Sequence, residues 1–257
     1  MIGFLIKKAF FDFWDNLLKV VIINIGVVVL LGIGVWGPFL LRANLLPAFI
    51  VFFIVFAAFH IYIGAASMFM RRLVDYESPT MKDFFSYVQE IWKSGLFLSF
   101  ISTAQVILII IGFPFYLSIG GMLGIGALSI IFWASIAWWL ASQYFFSIRV
   151  RLDTKFGKIF KKCFIVFIDN TGFSIFLGLA TIVIFVISVL TAFLLPGFAG
   201  IIIWHQAAFK LRLYKYDHLE ANPNANKKNI PWNKLLKEDR ERVGKRTLRG
   251  MVFPWKE

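Results

Sequence analysis

Six neutral polar side chains, Asn24, His60, Gln105, Gln143, His205 and Gln206, fall inside long apolar stretches of this 257-residue chain. Two imidazoles in apolar surroundings could hold a metal ion or pass a proton, and amides there hydrogen-bond a neighbouring helix or a neutral solute. Neither histidine has a second histidine, a cysteine or a carboxylate at ligand spacing, so packing between helices is the ordinary role for all six. No Asp, Glu, Lys or Arg lies deep in an apolar stretch. Ion pumps and proton-coupled carriers bury at least one such group, so those mechanisms lose ground. There is no glycine-rich phosphate loop with a lysine, no intramembrane protease motif and no Ser–His–Asp set. The sequence therefore predicts neither an enzyme nor a cofactor nor a metal.

A second group of residues could act on a surface. Arg149 to Asp169 carries Arg149, Arg151, Lys155, Lys158, Lys161 and Lys162, with Phe156, Ile159, Phe160, Cys163 and Phe167 at helical spacing. That pattern predicts a helix with its aromatic face in the acyl boundary and its lysines towards anionic lipid or a partner. Each near-surface cation would contribute ~1 kcal/mol of attraction to an acidic leaflet. Phe253 and Trp255 near the end of the chain are candidates for a similar contact.

The elements that must position these residues follow from composition. The chain is 60% hydrophobic and only 16% charged, whereas a soluble domain is about a quarter charged. This is the composition of a polytopic membrane protein. The net charge of +13 lies in loops and a tail, which argues against nucleic acid as the partner. Cys163 is the one cysteine, so no intramolecular disulfide forms. The N-terminal segment, with Asp12 and Asp15 and no small-residue cleavage site, does not read as a removed signal peptide.

Residues 1–19 predict an interfacial helix, with Ile6, Phe10, Phe13, Trp14 and Leu17 on one face and Lys8, Asp12, Asp15 and Lys19 opposite. Val20–Leu41 is uncharged and long enough for a ~30 Å hydrocarbon core, and Ala43–Met70 is the next such run. The loop 71–93 contains a second amphipathic segment that starts at Ser78-Pro79-Thr80. Ser94–Ile148 predicts two spans with a break between Pro114 and Gly121, and Gly120, Gly124 and Ala127 open the second of them for close packing. Residues 171–195 form a fifth span. A short sixth runs from about Phe198 to Tyr214, with a re-entrant hairpin as the alternative. The basic tail, 215–257, holds a polar linker and a short charged helix from Pro231 to about Arg246. Amphipathic segment, span, span recurs from residues 1, 80 and 155, which topology alone or an internal repeat would produce.

Of the 27 Lys and Arg residues, only Arg42 falls on the far side of this arrangement, and all 14 acidic residues fall on the near side. The positive-inside rule then places both termini in the cytoplasm. The expected fold is all-α: a transmembrane bundle of six spans in residues 20–214, preceded by an amphipathic helix at 1–19, with cytoplasmic loops 71–93 and 149–169.

Short motifs add a family resemblance. Asp15 is followed in the first span by Asn24, Ile63-Gly-Ala-Ala-Ser67 lies in the second, Lys82-Asp-Phe-Phe85 sits in the loop helix, and the 149–169 loop leads to a span ending in Leu195-Pro196. Together these resemble the YesL-like family of bacterial membrane proteins across about residues 5–216, with the tail additional. The resemblance implies a multi-pass protein of the bacterial cytoplasmic membrane that accompanies sugar-uptake transporters and sensor kinases. The first functional expectation is thus an accessory protein in an anionic inner leaflet that binds a transporter subunit or kinase. The alternative is a carrier for a hydrophobic or neutral solute past Asn24, His60 and Gln105, or a lipid-handling protein.

Overall fold

Apolar runs of twenty residues leave the backbone one local way to satisfy its N–H and C=O groups away from water, which is the helix. The computed structural model describes residues 1–226 and 229–246 and is helical throughout, with no strand among the described residues. In order the elements are α1 (Ile2–Trp14), α2 (Leu17–Leu40), α3 (Leu45–Val74) and α4 (Met81–Ile107), which continues through a π-helical turn at Leu108–Gly112 into α5 (Phe113–Ile119). Then come α6 (Gly121–Ser142), α7 (Phe145–Arg151), α8 (Phe156–Asp169), α9 (Thr171–Leu190), α10 (Gly197–Ala221), α11 (Trp232–Leu235) and α12 (Lys237–Val243). Five stretches are long and apolar enough to cross a membrane: α2, α3, Met81–Ile119, Gly121–Arg151 and α9. Their outer faces keep Leu18, Trp36, Ile54, Phe100, Met122 and Leu190 exposed, more apolar surface than a protein in water leaves uncovered.

Three antiparallel hairpins make the bundle. α3 lies against both α2 and α4, and at Gly95 a Cβ would come within 2.6 Å of the Ile61 Cα, so only glycine allows that approach. α5 turns into α6 through Gly120 and Gly121, whose φ values of 63° and 60° suit glycine. Gly124 then packs on the Tyr116 carbonyl, the close contact its small size foretold. In the third hairpin, α9–α10, the Trp204 indole donates to the Leu177 carbonyl (3.3 Å), and Lys215 of α10 pairs with Asp169 at the end of α8 (2.8 Å). α10 is the enclosed helix, buried along most of its length among α1, α2, α3 and α9.

Two amphipathic helices are oriented otherwise than their patterns suggested. α1 turns its polar residues inward: Lys8 is fully buried and Asp12 is 5% exposed, while Ile6 and Trp14 are exposed. In water that arrangement would be inverted. With lipid outside, the apolar face belongs outside, and the ions meet partners within the bundle. The basic segment breaks in two. α7 buries Arg149 and Arg151 in the bundle, and after Leu152 the chain restarts as α8. Part of the aromatic face of α8 packs on the protein rather than lying in lipid, Phe156 stacking on Phe97 (4.9 Å) and Phe160 on Trp138 (5.2 Å). Lys155, Lys158 and Lys161 face outward, and Lys162 pairs with Asp153 (3.4 Å). Phe253 and Trp255 lie outside the described residues.

Candidate functional site

α3, α4, α6, α7, α9 and α10 line a half-open cavity of about 420 Å³ with no charged residue in its lining. That is the size range of small-molecule sites. His60 and Ser67 of α3, Ser102 and Gln105 of α4, Gln143 and Ser147 beside and on α7, Thr181 of α9, and His205 and Gln206 of α10 supply its polar groups. Phe59, Trp138, Trp139, Phe146 and Phe198 frame them. His60, Gln105, His205 and Gln206, singled out from the sequence, therefore meet here, as does Gln143.

The two rings are held in definite tautomers. His60 Nδ1 lies 2.9 Å from the Phe56 carbonyl, which can only accept, so Nδ1 carries the proton and Nε2 accepts from Ser102 Oγ at 3.2 Å. Thr181 Oγ1 donates its one proton to the Leu177 carbonyl at 2.8 Å. The threonine oxygen, 2.9 Å from His205 Nε2, must then accept, so His205 carries its proton on Nε2. Gln143 Nε2 donates to the carbonyls of Leu140 (3.2 Å) and Ser174 (3.5 Å), while its Oε1 is buried without a hydrogen-bond partner. The described residues include no cluster of three or more His, Cys, Asp or Glu groups that could hold a metal. The groups gathered here can make hydrogen bonds and aromatic contacts.

Asn24 is not part of this cavity. Its Nδ2 donates to the carbonyls of Leu194 (2.9 Å) and Pro196 (2.8 Å), and its Oδ1 accepts from the Ala199 N–H (2.9 Å). It thus caps α10 from across the bundle and holds the α9–α10 turn in place. Gly197 must be small here, because a Cβ would come within 2.3 Å of the Asn24 amide. Every polar atom of the Asn24 side chain is engaged, which makes it a structural pin and removes it from a solute path.

Beneath the cavity, at the charged end of the bundle, lies an ionic hub that joins five parts of the chain. Gln206 Oε1 accepts from Arg151 Nε (3.2 Å), and Arg151 grips Asp75 with both terminal nitrogens (2.9 and 3.1 Å). Asp75 lies 3.5 Å from Lys210, and Lys210 pairs with Asp239 of α12 at 3.1 Å. Asp239 also accepts from the Tyr214 hydroxyl (2.9 Å). Lys8 pairs with Asp12 (2.9 Å), donates to the Val74 carbonyl (2.9 Å) and sits 3.9 Å over the Tyr76 ring. Burial pushes Asp12 up to about 6 against the pull of Lys8, and pushes Lys8 below the usual lysine value. Burial would also raise Asp239, but Lys210 and Lys8 outweigh it and hold that carboxyl below its ordinary range. Cys163 on α8 is buried, and its thiol is pushed up to about 12, which makes it inert.

A second polar junction ties α9 to α10: Arg212 and Lys215 both donate to Asn170 Oδ1 (3.2 and 3.0 Å). Sequence reasoning missed the hub and the serine and threonine lining. The four-residue spacings Lys8 to Asp12 and Lys210 to Tyr214 were the available signals for the hub, but their partners are distant in the chain. No family model, curated protein or solved structure matches this chain.

Proposed function

We propose that this chain is a multi-pass membrane protein that takes a small uncharged solute into the cavity between α3 and α10 and passes it through the bundle. One observation carries this reading: a charge-free cavity of about 420 Å³ gathers His60, Gln105, His205 and Gln206 inside an aromatic frame, and the Gln105 amide makes no side-chain hydrogen bond to a described residue. Packing alone gives no reason to leave an amide in a cavity unpaired.

The positive-inside pattern supports a cytoplasmic location for both termini and the hub. The position of Asn24 supports a re-entrant α9–α10 hairpin instead of a fifth and sixth full crossing. Asn24 stands seven residues into α2, about 10 Å from its start, leaving about 24 Å of α2 beyond the turn it pins. A cysteine at Ile119 should then label from outside, and one at Ala192 should not.

The functional test is reconstitution in proteoliposomes with light-scattering assays of glycerol, urea and xylitol entry. We expect at least one to enter about tenfold faster than in protein-free vesicles, and Ser102→Trp, which plugs the cavity, to abolish the gain. Equal rates with and without protein for all three would overturn the reading.

The second reading is an accessory protein that docks a transporter subunit or sensor kinase in a bacterial cytoplasmic membrane, as the YesL-like resemblance implies. Its specific support is α8, where Lys155, Lys158 and Lys161 make no side-chain ion pair among the described residues. A stoichiometric partner that is captured by the wild type and lost on reversing these three charges would favour it.

A further inference from the structure

The cavity is shut at the charged end of the bundle, and what shuts it is partly ionic. His60, Ser102, Gln105 and Thr181 of its lining are partly exposed, whereas Ser67, Ser147 and Gln206, the lining residues of α3, α7 and α10 nearest that end, are buried. One helical turn further on, Met70 follows Ser67, Arg151 follows Ser147, and Phe209 and Lys210 follow Gln206. Met70 and Phe209 are fully buried in the core. The ions close beside them: Gln206 accepts from Arg151, Arg151 holds Asp75 through both terminal nitrogens, and Asp75 lies 3.5 Å from Lys210.

A segment of the tail covers this layer. Asp239 of α12 is 3% exposed and pairs with Lys210 at 3.1 Å, and Leu236 and Val243, which flank it, are buried too. The same segment is strapped to α1 from outside. Lys7 Nζ donates to the Gly244 carbonyl (2.9 Å), and Arg246 donates to both Asp15 oxygens (2.9 Å) while lying 4.4 Å from the Phe11 ring. Asp15 and Arg246 are exposed, so this attachment is weak. Ion pairs hold firmly only under cover; once water reaches them they contribute little. The closure of the cavity therefore depends on a cover that is itself loosely tied.

We propose that the Arg151–Asp75–Lys210 layer is the inner gate of the cavity and that α12 is the latch that keeps it closed. With α12 docked, a solute in the cavity goes no further. When α12 lifts, water enters the layer, Arg151 and Asp75 part, and the floor at Gln206 and Ser147 opens towards the side of the termini. This inference rests on the cavity being a solute path, and it assigns the regulation of that path to the tail.

The test is one-sided cysteine labelling of the full-length protein in oriented vesicles. Ser147→Cys marks the floor, and native Cys163, buried on α8 outside the cavity, reports general loosening. A charged methanethiosulfonate reagent is applied on the side of the termini, and the two sites are resolved by peptide mass spectrometry. We expect slow labelling of the floor cysteine while α12 is intact. Asp239→Ala removes the bonds to Lys210 and Tyr214 but leaves Lys8 with Asp12 and Lys210 with Asp75, so no buried cation is stranded. It should quicken floor labelling about tenfold, with Cys163 unchanged. Arg246→Ala, which loosens only the surface strap, should quicken it about threefold. Rapid floor labelling with α12 intact would overturn the gate. Rates unchanged in both variants would overturn the latch, as would equal acceleration at Cys163. Should Asp239→Ala fail to elute as a monodisperse species, Arg246→Ala decides the matter. Labelling reads water access and not solute entry, so latch-dependent labelling without entry of any solute would overturn the transport reading alone.

Discussion

The ionic hub and the cavity are both buried and polar, and they lie against one another through Gln206 and Arg151, yet they are built on opposite terms. In the hub nearly every charge is answered: Arg151 meets Asp75 twice, Lys210 meets Asp75 and Asp239, and Lys8 meets Asp12 and a backbone carbonyl. In the cavity, neutral groups are left short of partners: no described residue donates to His205 Nδ1, and the Gln105 amide makes no side-chain hydrogen bond to a described residue. The charges of the hub are mostly paired within the chain, because an unpaired buried group costs more than a paired one returns. Polar groups kept unsaturated in a cavity are available to something outside the chain.

Substitutions can break this contrast at either end. The largest effect belongs to Lys8→Met, which strands Asp12 and weakens the hold on Asp239. We expect a loss of about 3–5 kcal/mol in chemical unfolding, and a loss under about 1 kcal/mol would show that the hub is not a structural unit. Asn24→Leu removes three hydrogen bonds at the hairpin turn, with an expected cost of about 2–4 kcal/mol, read as a lowered midpoint in the same titration. Exposure of a cysteine at Ala192 to rapid labelling in this variant would confirm that the turn has come loose.

The next effect is pH-dependent. The folded-state value of Asp12, about 6, lies above its unfolded value, so the folded protein binds that proton more tightly. Stability should therefore rise as pH falls from 7 to 5, by about 1 kcal/mol, and Asp12→Asn should flatten that slope. A slope unchanged in the variant would assign it to another group. The smallest effect is Gln105→Met. It removes an amide that makes no side-chain hydrogen bond to a described residue, so stability should change by less than about 0.5 kcal/mol while solute entry slows. A loss of several kcal/mol would make Gln105 a hub-like residue and remove the contrast.

The sequence was most informative where a property is local. Uninterrupted apolar length marks the five stretches able to cross a membrane, and Thr80 with Asp83 closes a capping box where the start of α4 was expected. It was least informative where the solvent is not water. The residues of α1 give its amphipathic axis but not which side faces protein: Lys8 points inward to the Val74 carbonyl and towards Asp239 of α12, partners distant in the chain. His60 and His205 reach one cavity because α3 packs on α10, and nothing in their flanking residues records that contact. Serines and threonines of the lining are invisible for another reason: such residues are common in apolar helices, where they bond their own backbone, as Ser142 does to Trp139.

The Asn24 pin has a consequence for biogenesis. Its partner N–H at Ala199 is made 175 residues later, which at ribosomal rates of about 5–20 residues per second is roughly 10–35 s of further synthesis. For that interval the first long helix carries an unanswered amide in the bilayer, and a chain truncated before α10 carries it permanently. Completion of the last hairpin is thereby registered in the first, so a quality-control protease that senses exposed polar groups in lipid could distinguish finished chains from unfinished ones by this residue.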